Sequence, residues 1–403
     1  MSPRPIVIVG AGLAGANAAE ALRRQGFEDA IILIDRDLDV PYDRPPLSKE
    51  FLTADHEPVV RLWDDDQLTR LSVKLELGTT VSSVDVARKR VVTTDGRQWH
   101  YWKLLLATGS EARRLDTIKG AHLGNVYYLR TLQDARQLKR AIQDVERVVV
   151  IGAGFIGAEV AASLRQIGKS VVVVEILPRP FERLWGTEAA EYLIWLHQQH
   201  GIEWRLGQKV LEFWGESRVT HVKTSDTVIE CDAVIIGTGA VPAAPVAPGH
   251  FEKGYVVNEF GQTNIPDVYA AGDCTTWPYH GHAIHVEHWD HAKNHGRMAA
   301  ENMIGSTPRP YRNVPYFWSD QYDTRLQYLG YAPEWDFEVI RGEPQGGAGA
   351  IFYVKEGRVM AGLFINQSKG ILAARRIIDR QAVVPPERLG DPSIPLNEVT
   401  CEK

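Results

Sequence analysis

A chain of 403 residues, 44 % apolar and 24 % charged, has ordinary globular composition, and at about 100–200 residues per domain its length predicts two or three domains. Forty-five basic against 51 acidic residues leave a net charge of −6, which argues against wholesale binding of nucleic acid or an anionic membrane. Cys231, Cys274 and Cys401 lie far apart with no Cys-x-x-Cys pair, which excludes a disulfide-stapled scaffold, a zinc ribbon, a cysteine-ligated iron–sulfur centre and a local redox dithiol; the expected location is the reducing cytoplasm.

In chain order, Ile6-Val7-Ile8-Val9 is a buried-strand run, followed by Gly10-Ala11-Gly12-Leu13-Ala14-Gly15 and an alanine-rich helical stretch to Arg24. A second β-branched run, Ile31-Ile32-Leu33-Ile34, ends in Asp35. Residues 6–22 imitate a short secretory core behind Arg4, but three ordered glycines entering a strand–helix pattern belong to a fold rather than a leader. No stretch reaches the ~18–20 consecutive apolar residues of a membrane span. Leu104-Leu105-Leu106-Ala107-Thr108-Gly109 closes this first unit. The pattern then repeats. Val148-Val149-Val150-Ile151 leads into Gly152-Ala153-Gly154-Phe155-Ile156-Gly157 and a helix to Arg165, and Val171-Val172-Val173-Val174 ends in Glu175. Ala233-Val234-Ile235-Ile236-Gly237-Thr238-Gly239 closes the second unit.

The chemistry of this arrangement is specific. The first glycine permits a tight turn, the second lets backbone approach a pyrophosphate, and the third lets helix and strand pack closely. Free N–H groups at the helix start receive the anion, and an acid about 20 residues on accepts from ribose hydroxyls. Asp35 stands 20 residues after Gly15, and Glu175 stands 18 after Gly157. Two such units in one chain predict one tightly held flavin dinucleotide and one exchangeable nicotinamide dinucleotide, set for hydride transfer.

Four further stretches carry a resemblance: Pro41-Tyr42-Asp43-Arg44-Pro45-Pro46-Leu47-Ser48-Lys49; Thr263-Asn264-Ile265-Pro266-Asp267-Val268-Tyr269-Ala270-Ala271-Gly272-Asp273; Val286-Glu287-His288-Trp289-Asp290-His291-Ala292; and Phe317-Trp318-Ser319-Asp320-Gln321. With them, and with Gly157-Ala158-Glu159, the chain resembles the two-dinucleotide-binding flavoproteins, and among these the oxygenase-coupled NADH:ferredoxin reductases, the group of putidaredoxin reductase and biphenyl dioxygenase ferredoxin reductase. The resemblance covers essentially the whole chain. It implies an α/β fold with two Rossmann-like, glutathione-reductase-like domains and a C-terminal α+β domain. The implied boundaries are 1–110 with 233–312 for the FAD domain, 111–232 for the NAD domain and 313–403 for the C-terminal domain. A Pro- and Gly-rich stretch, residues 242–261, marks the return into the first.

The same resemblance puts FAD on Gly10, Gly12 and Gly15 with Asp35 at a ribose, Arg44 and Lys49 at the flavin, Val81 at the adenine, Arg130 as a further contact and Asp273 at a ribityl hydroxyl. NADH goes to Gly152, Gly154 and Gly157, with Phe155 near the nicotinamide. Leu13, Ala14, Ile156, Gly239, Glu287, His288, Trp289 and Trp318 join the cofactor-contacting residues, and Arg183 is assigned beside them. Glu175 is a physical argument in itself, because a carboxylate accepts the 2′-hydroxyl of NAD and repels the 2′-phosphate of NADP. Arg179 and Arg183 follow closely, so use of NADPH as well stays open, with NADH favoured.

Lys49, Glu159 and Trp318 are the implied catalytic groups: a cation near flavin N5, its paired carboxylate, and an aromatic at the ring. Taken without the resemblance, Lys49 is also readable as a solvated loop lysine, Glu159 as a helix-start acid favoured by the dipole, and Trp318 as a core aromatic. His280, His282, His285, His288, His291 and His295 crowd one stretch, but the spacing holds no HExxH pair and no metal is expected. Residues 36–60 contain no cysteine, so the electrons are expected to leave directly from the flavin, singly, to an iron–sulfur ferredoxin or rubredoxin serving a P450 or ring-hydroxylating oxygenase. Such partners are usually acidic, which nominates Arg309, Arg312 and Arg325 with Lys369, Arg375, Arg376 and Arg380 for docking, residues 370–379 forming an amphipathic helix. A solvated helix face explains the same charges. Two rival activities remain: an NADH dehydrogenase passing electrons to quinone or small acceptors, and a redox-sensing protein resembling apoptosis-inducing factor.

Overall fold

The computed structural model describes residues 4–243, 246–248 and 253–400, the side chains of residues 182 and 183 excepted; Cys401 lies outside the described residues. Packing divides the chain into two units, one of residues 1–45, 59–111 and 240–313, the other of residues 46–58, 112–239 and 314–403.

The first unit is built on a five-stranded parallel sheet in the order Val268–Ala270, Lys103–Leu106, Ile6–Val9, Ile31–Ile34, Lys74–Glu76. The central strand Ile6–Val9 is buried at every position, as the unbroken apolar run demands of a strand covered on both faces. The helix Leu13–Arg24 follows it and packs along the helix Trp289–Ile304. Small residues set that crossing: a Cβ on Gly296 would lie 2.2 Å from the Ala14 carbonyl oxygen, so any side chain there would push the helices apart. Alanines 14, 16, 18, 19 and 21 share the core with Ile6, Ile8, Leu22 and Leu105. Two small three-stranded sheets complete the unit, Val81–Asp85 with Arg90–Thr93 and Gln98–His100, and Tyr255–Val256 with Thr275–Tyr279 and His282–Ile284.

The second unit repeats the parallel sheet as Glu203–Leu206, Ser170–Glu175, Arg147–Ile151, Ala233–Ile236, Val126–Tyr128. Its glycine helix, Phe155–Gln166, packs against the short helix Glu50–Thr53, which is how residues 46–58 come to belong to this unit. Residues 316–365 form a five-stranded antiparallel sheet, Tyr316–Gln321, Thr324–Gly330, Arg358–Ile365, Ala348–Lys355, Phe337–Glu343. The helix Ile371–Asp379 covers it with Ala374, Ile377 and Ile378, leaving Leu372 74 % exposed beside the exposed Arg376. Among the described residues no helix is long and apolar enough to cross a membrane.

Candidate functional site

In the first unit the turn after Ile6–Val9 makes the cradle. Gly10 sits at φ 109°, and a Cβ on it would lie 2.1 Å from the Ala107 carbonyl oxygen; a Cβ on Gly15 would lie 1.9 Å from Gly10 O. Both positions are therefore closed to any side chain. Around Gly12 there is nothing within 4 Å of where a Cβ would stand, and the same holds for Gly109 at the end of the closing strand. Backbone amides thus border open space at the start of the helix Leu13–Arg24, which carries no side-chain cap of its own. Leu13 and Ala14 open that helix. Asp35 reaches back into the turn, Oδ2 accepting from the Ala11 N–H at 2.5 Å and Oδ1 from Asp37 N–H at 2.8 Å.

The second unit repeats this geometry closely. Gly152 is at φ 96° with Gly237 O 2.5 Å from an added Cβ, and a Cβ on Gly157 would meet Gly152 O at 2.0 Å. Gly154 and Gly239 leave open space, Gly154 having only Gly237 O at 3.8 Å. Glu175 Oε2 accepts from Ala153 N–H at 2.7 Å and Oε1 from Leu177 N–H at 2.9 Å. Ile156 is 40 % exposed at the helix start. Phe155 joins an aromatic cluster, its ring 4.6 Å from Phe181, 5.5 Å from Trp185 and 4.4 Å from Phe317. Arg130 is half-buried just ahead of the Thr131 cap, its N–H bonded to Asp134. Arg179 is 3.8 Å from Glu191. The Arg183 side chain lies outside the described residues. Both cradles fit a dinucleotide: glycine where a side chain would block, unpartnered helix starts, and a fixed carboxylate beside the open space.

The first unit also holds other expected residues, several of them near the start of the helix Trp289–Ile304. Asp273 accepts from Ser110 Oγ at 3.2 Å, and Trp289 Nε1–H donates to Asp43 at 2.8 Å. Arg44 is half-buried two residues before Pro46, and Val81 is buried on its strand. Glu287 lies 3.6 Å from His285; burial depresses that ring, but the Glu287 carboxylate, the Thr275 carbonyl and Asp273 together outweigh it and the net shift is upward. Burial pushes His288 down to about 4 and His295 to about 3, and holds His291 well below the usual histidine value. His295 is therefore neutral, and its Nδ1 accepts the Gly272 N–H at 3.3 Å, bracing the turn that carries Asp273. His291 Nδ1 faces Tyr311 Oη at 3.2 Å. Sequence reasoning missed these bracing roles, since nothing in histidine spacing reports which ring meets which backbone group.

In the second unit Lys49 Nζ lies 2.9 Å from Glu159 Oε2, on groups only 20 % and 6 % exposed. Ser48 Oγ–H donates to the same oxygen at 2.5 Å, and Ser319 Oγ–H donates to Glu159 Oε1 at 2.7 Å. The helix Phe155–Gln166 thus carries an acid whose two oxygens are engaged by three donors from a loop and a strand. Ser48 and Ser319 stood inside the sequence motifs, yet only contact reveals that they serve the carboxylate. Trp318 points to the opposite face of its strand from Ser319, its ring stacked 6.2 Å from Tyr316. Both described cysteines are buried, which pushes the Cys231 thiol up to about 12 and raises Cys274, away from the thiolate form.

Comparisons with known proteins agree with this architecture. A family model described as pyridine nucleotide-disulphide oxidoreductase matches residues 4–296, and one described as reductase C-terminal matches residues 316–400. A ferredoxin–NAD(P)+ reductase of Sphingomonas sp. is 37 % identical, covering 97 % of this chain and 96 % of its own. The ferredoxin–NAD+ reductase component of the p-cumate 2,3-dioxygenase system of Pseudomonas putida is 33 % identical, covering 98 % of both. The reductase in the crystal structure of the covalent putidaredoxin reductase–putidaredoxin complex superposes with a TM-score of 0.93 at 32 % identity, covering 98 % of both chains.

Proposed function

The chain belongs to the pyridine nucleotide-disulphide oxidoreductase family with a reductase C-terminal domain, and from that premise we propose that it is an FAD-dependent NADH:ferredoxin oxidoreductase serving an oxygenase. The observation that carries the reading is the duplicated cradle, each copy closed by a carboxylate on its own turn amide. The chemistry that FAD supplies when bound is acceptance of a hydride and release of its electrons one at a time.

The residues do the holding. Gly10, Gly12 and Gly15 with Asp35 receive the flavin dinucleotide, with Asp273 at the ribityl chain and Arg44, Val81, Arg130, His288 and Trp289 as further contacts. Gly152, Gly154, Gly157 and Gly239 receive NADH. Glu175, pinned by two backbone amides, cannot swing aside for a 2′-phosphate, and Arg179 is turned toward Glu191, which supports NADH over NADPH. Lys49, held by Glu159, presents a cation to the flavin, and Trp318 an aromatic face. No acid–base residue is required at the hydride step, since orientation is what the protein contributes.

For the ferredoxin we propose the exposed Arg309, Arg312, Lys369, Arg376 and Arg380. Arg325 is bound bidentate to Asp320 at 2.7 and 3.1 Å, and Arg375 lies over the Tyr316 ring at 5.6 Å, so these two contribute less to an acidic partner. The test is anaerobic reduction of the purified flavoprotein by NADH, then a screen of acceptors. A [2Fe–2S] ferredoxin or rubredoxin turning over at least about tenfold more efficiently than quinone is expected, a difference of ~1.4 kcal/mol in transition-state binding. Equal turnover with quinone would instead make it a dehydrogenase of small acceptors.

A further inference from the structure

The second unit holds a row of polar side chains that the reaction as described does not use. Along the strand Tyr316–Gln321 the inward positions are Phe317, Ser319 and Gln321, so two polar groups enter a core otherwise made of Trp185, Leu193, Phe317 and Tyr328. Ser319 is 0 %, Gln321 1 % and His197 0 % exposed. Burial of this kind is destabilising unless every polar atom finds a partner of the right sense.

Here the sense can be traced. His197 Nε2 lies 2.6 Å from Gln321 Oε1, an acceptor, so Nε2 carries the proton. Burial pushes that ring down to about 4, leaving it a single N–H, and Nδ1 accepts from Tyr322 Oη at 3.4 Å. Burial raises the Tyr322 hydroxyl and keeps it a donor. Gln321 Nε2–H donates to Ser319 Oγ at 3.0 Å, and Ser319 spends its own proton on Glu159 Oε1 at 2.7 Å. Every donor points toward the carboxylate. The other oxygen is left to Ser48 and Lys49, and the Ser48 carbonyl is itself held by Ser163 Oγ at 2.7 Å.

We propose that the buried chain Tyr322–His197–Gln321–Ser319 is a positioning device that holds the Glu159 carboxylate, and through it the Lys49 ammonium, in one place. It spans three elements: His197 in the last turn of the helix Glu182–Gln199, the strand Tyr316–Gln321, and the helix Phe155–Gln166. An amide in its middle cannot pass a proton on without tautomerising, so the chain orients and does not conduct. Its consequence for hydride transfer rests on the reading of Lys49 as a flavin-side cation. Orientation of a fixed charge acts on the reaction step and not on nucleotide binding, so kcat should move and KM should not.

The test uses the full-length flavin-loaded protein with Ser319→Ala, Gln321→Leu, His197→Leu and the rescue variant His197→Gln, whose amide N–H can stand where Nε2–H stood. Two quantities are read: acetylation of Lys49 by limiting acetic anhydride, scored by peptide mass spectrometry against the exposed Lys369, and the limiting rate of flavin bleaching by NADH. Losing a hydrogen bond to a charged group predicts about a fivefold to tenfold rise in Lys49 labelling and a similar fall in the limiting rate, with half-saturating NADH within about twofold. His197→Gln should return both to within about twofold of the parent, which a purely structural histidine would not require. Unchanged Lys49 labelling in Ser319→Ala, the mildest variant, overturns the proposal. Raised labelling with flavin reduction unaltered, in Glu159→Gln as well, sustains the positioning chain and removes the flavin-side reading of Lys49.

Discussion

At the scale of single residues, the two carboxylates show why some site groups are legible in a sequence. Asp35 and Glu175 follow from strand length and helix length alone, because two parallel neighbouring strands bring the end of one beside the turn of the other. Each then closes on a turn amide, at 2.5 and 2.7 Å. Glu175→Ala should lower kcat/KM for NADH about tenfold while leaving the NADPH value within about twofold, so that steady-state kinetics with both nucleotides show the preference narrowing by ~1.4 kcal/mol. A preference that survives the substitution would mean other residues set it. Ser319, Gln321 and His197 are the opposite case. They are separated from Glu159 by 160, 162 and 38 positions, and a buried serine or glutamine has no periodicity of its own to announce a partner.

At the scale of elements, the strand–glycine–helix units were readable because their constraint is local. The turn geometry of Gly10 and Gly152 and the close approach of Gly15 and Gly157 are demands of a few consecutive residues. The helix of residues 370–379 was likewise visible from its apolar face, and Ile371–Asp379 forms with Ala374, Ile377 and Ile378 inward. Its charges needed neighbours to interpret: Arg375 is drawn over Tyr316 while Arg376 stays exposed. Reversing Lys369 and Arg376 to Glu should therefore weaken turnover with an acidic ferredoxin several-fold at low salt and flatten its salt dependence, while NADH-driven bleaching of the flavin is untouched. Rates through ferredoxin that match the parent at every salt concentration would clear this helix of a docking role. The crossing of Leu13–Arg24 with Trp289–Ile304 was not readable, because a glycine inside a helix does not say what it faces. Gly296→Ala should cost about 1–3 kcal/mol by overpacking against Ala14, seen as a lower melting temperature and faster loss of flavin on gel filtration.

At the scale of the molecule, burial of histidines makes stability a function of pH. His197 and His288 are pushed to about 4 and His295 to about 3, against 6.5 for an exposed ring, and His291 is lowered as well. Between pH 7 and 5 the unfolded chain binds protons that these folded rings refuse, so stability is present above about 6.5 and lost as pH falls, by about 2 kcal/mol each for His197, His288 and His295, with His291 acting in the same direction. His285, raised beside Glu287, opposes part of this. The melting temperature should drop by about 5–10 °C from pH 7 to pH 5, and a flat profile would mean the rings are solvated in the folded state. The sequence by itself determined the α/β class, the duplicated dinucleotide cradle and the pairing of each cradle with a distant acid. Those follow from local sterics and strand–helix periodicity, which act over a few residues to a few tens. Only the tertiary structure decided that residues 46–58 pack with 112–239, which arginines stay exposed, and which buried donors converge on Glu159. These depend on contacts between segments far apart in the chain, where a desolvated polar atom must find whichever partner the fold brings to it.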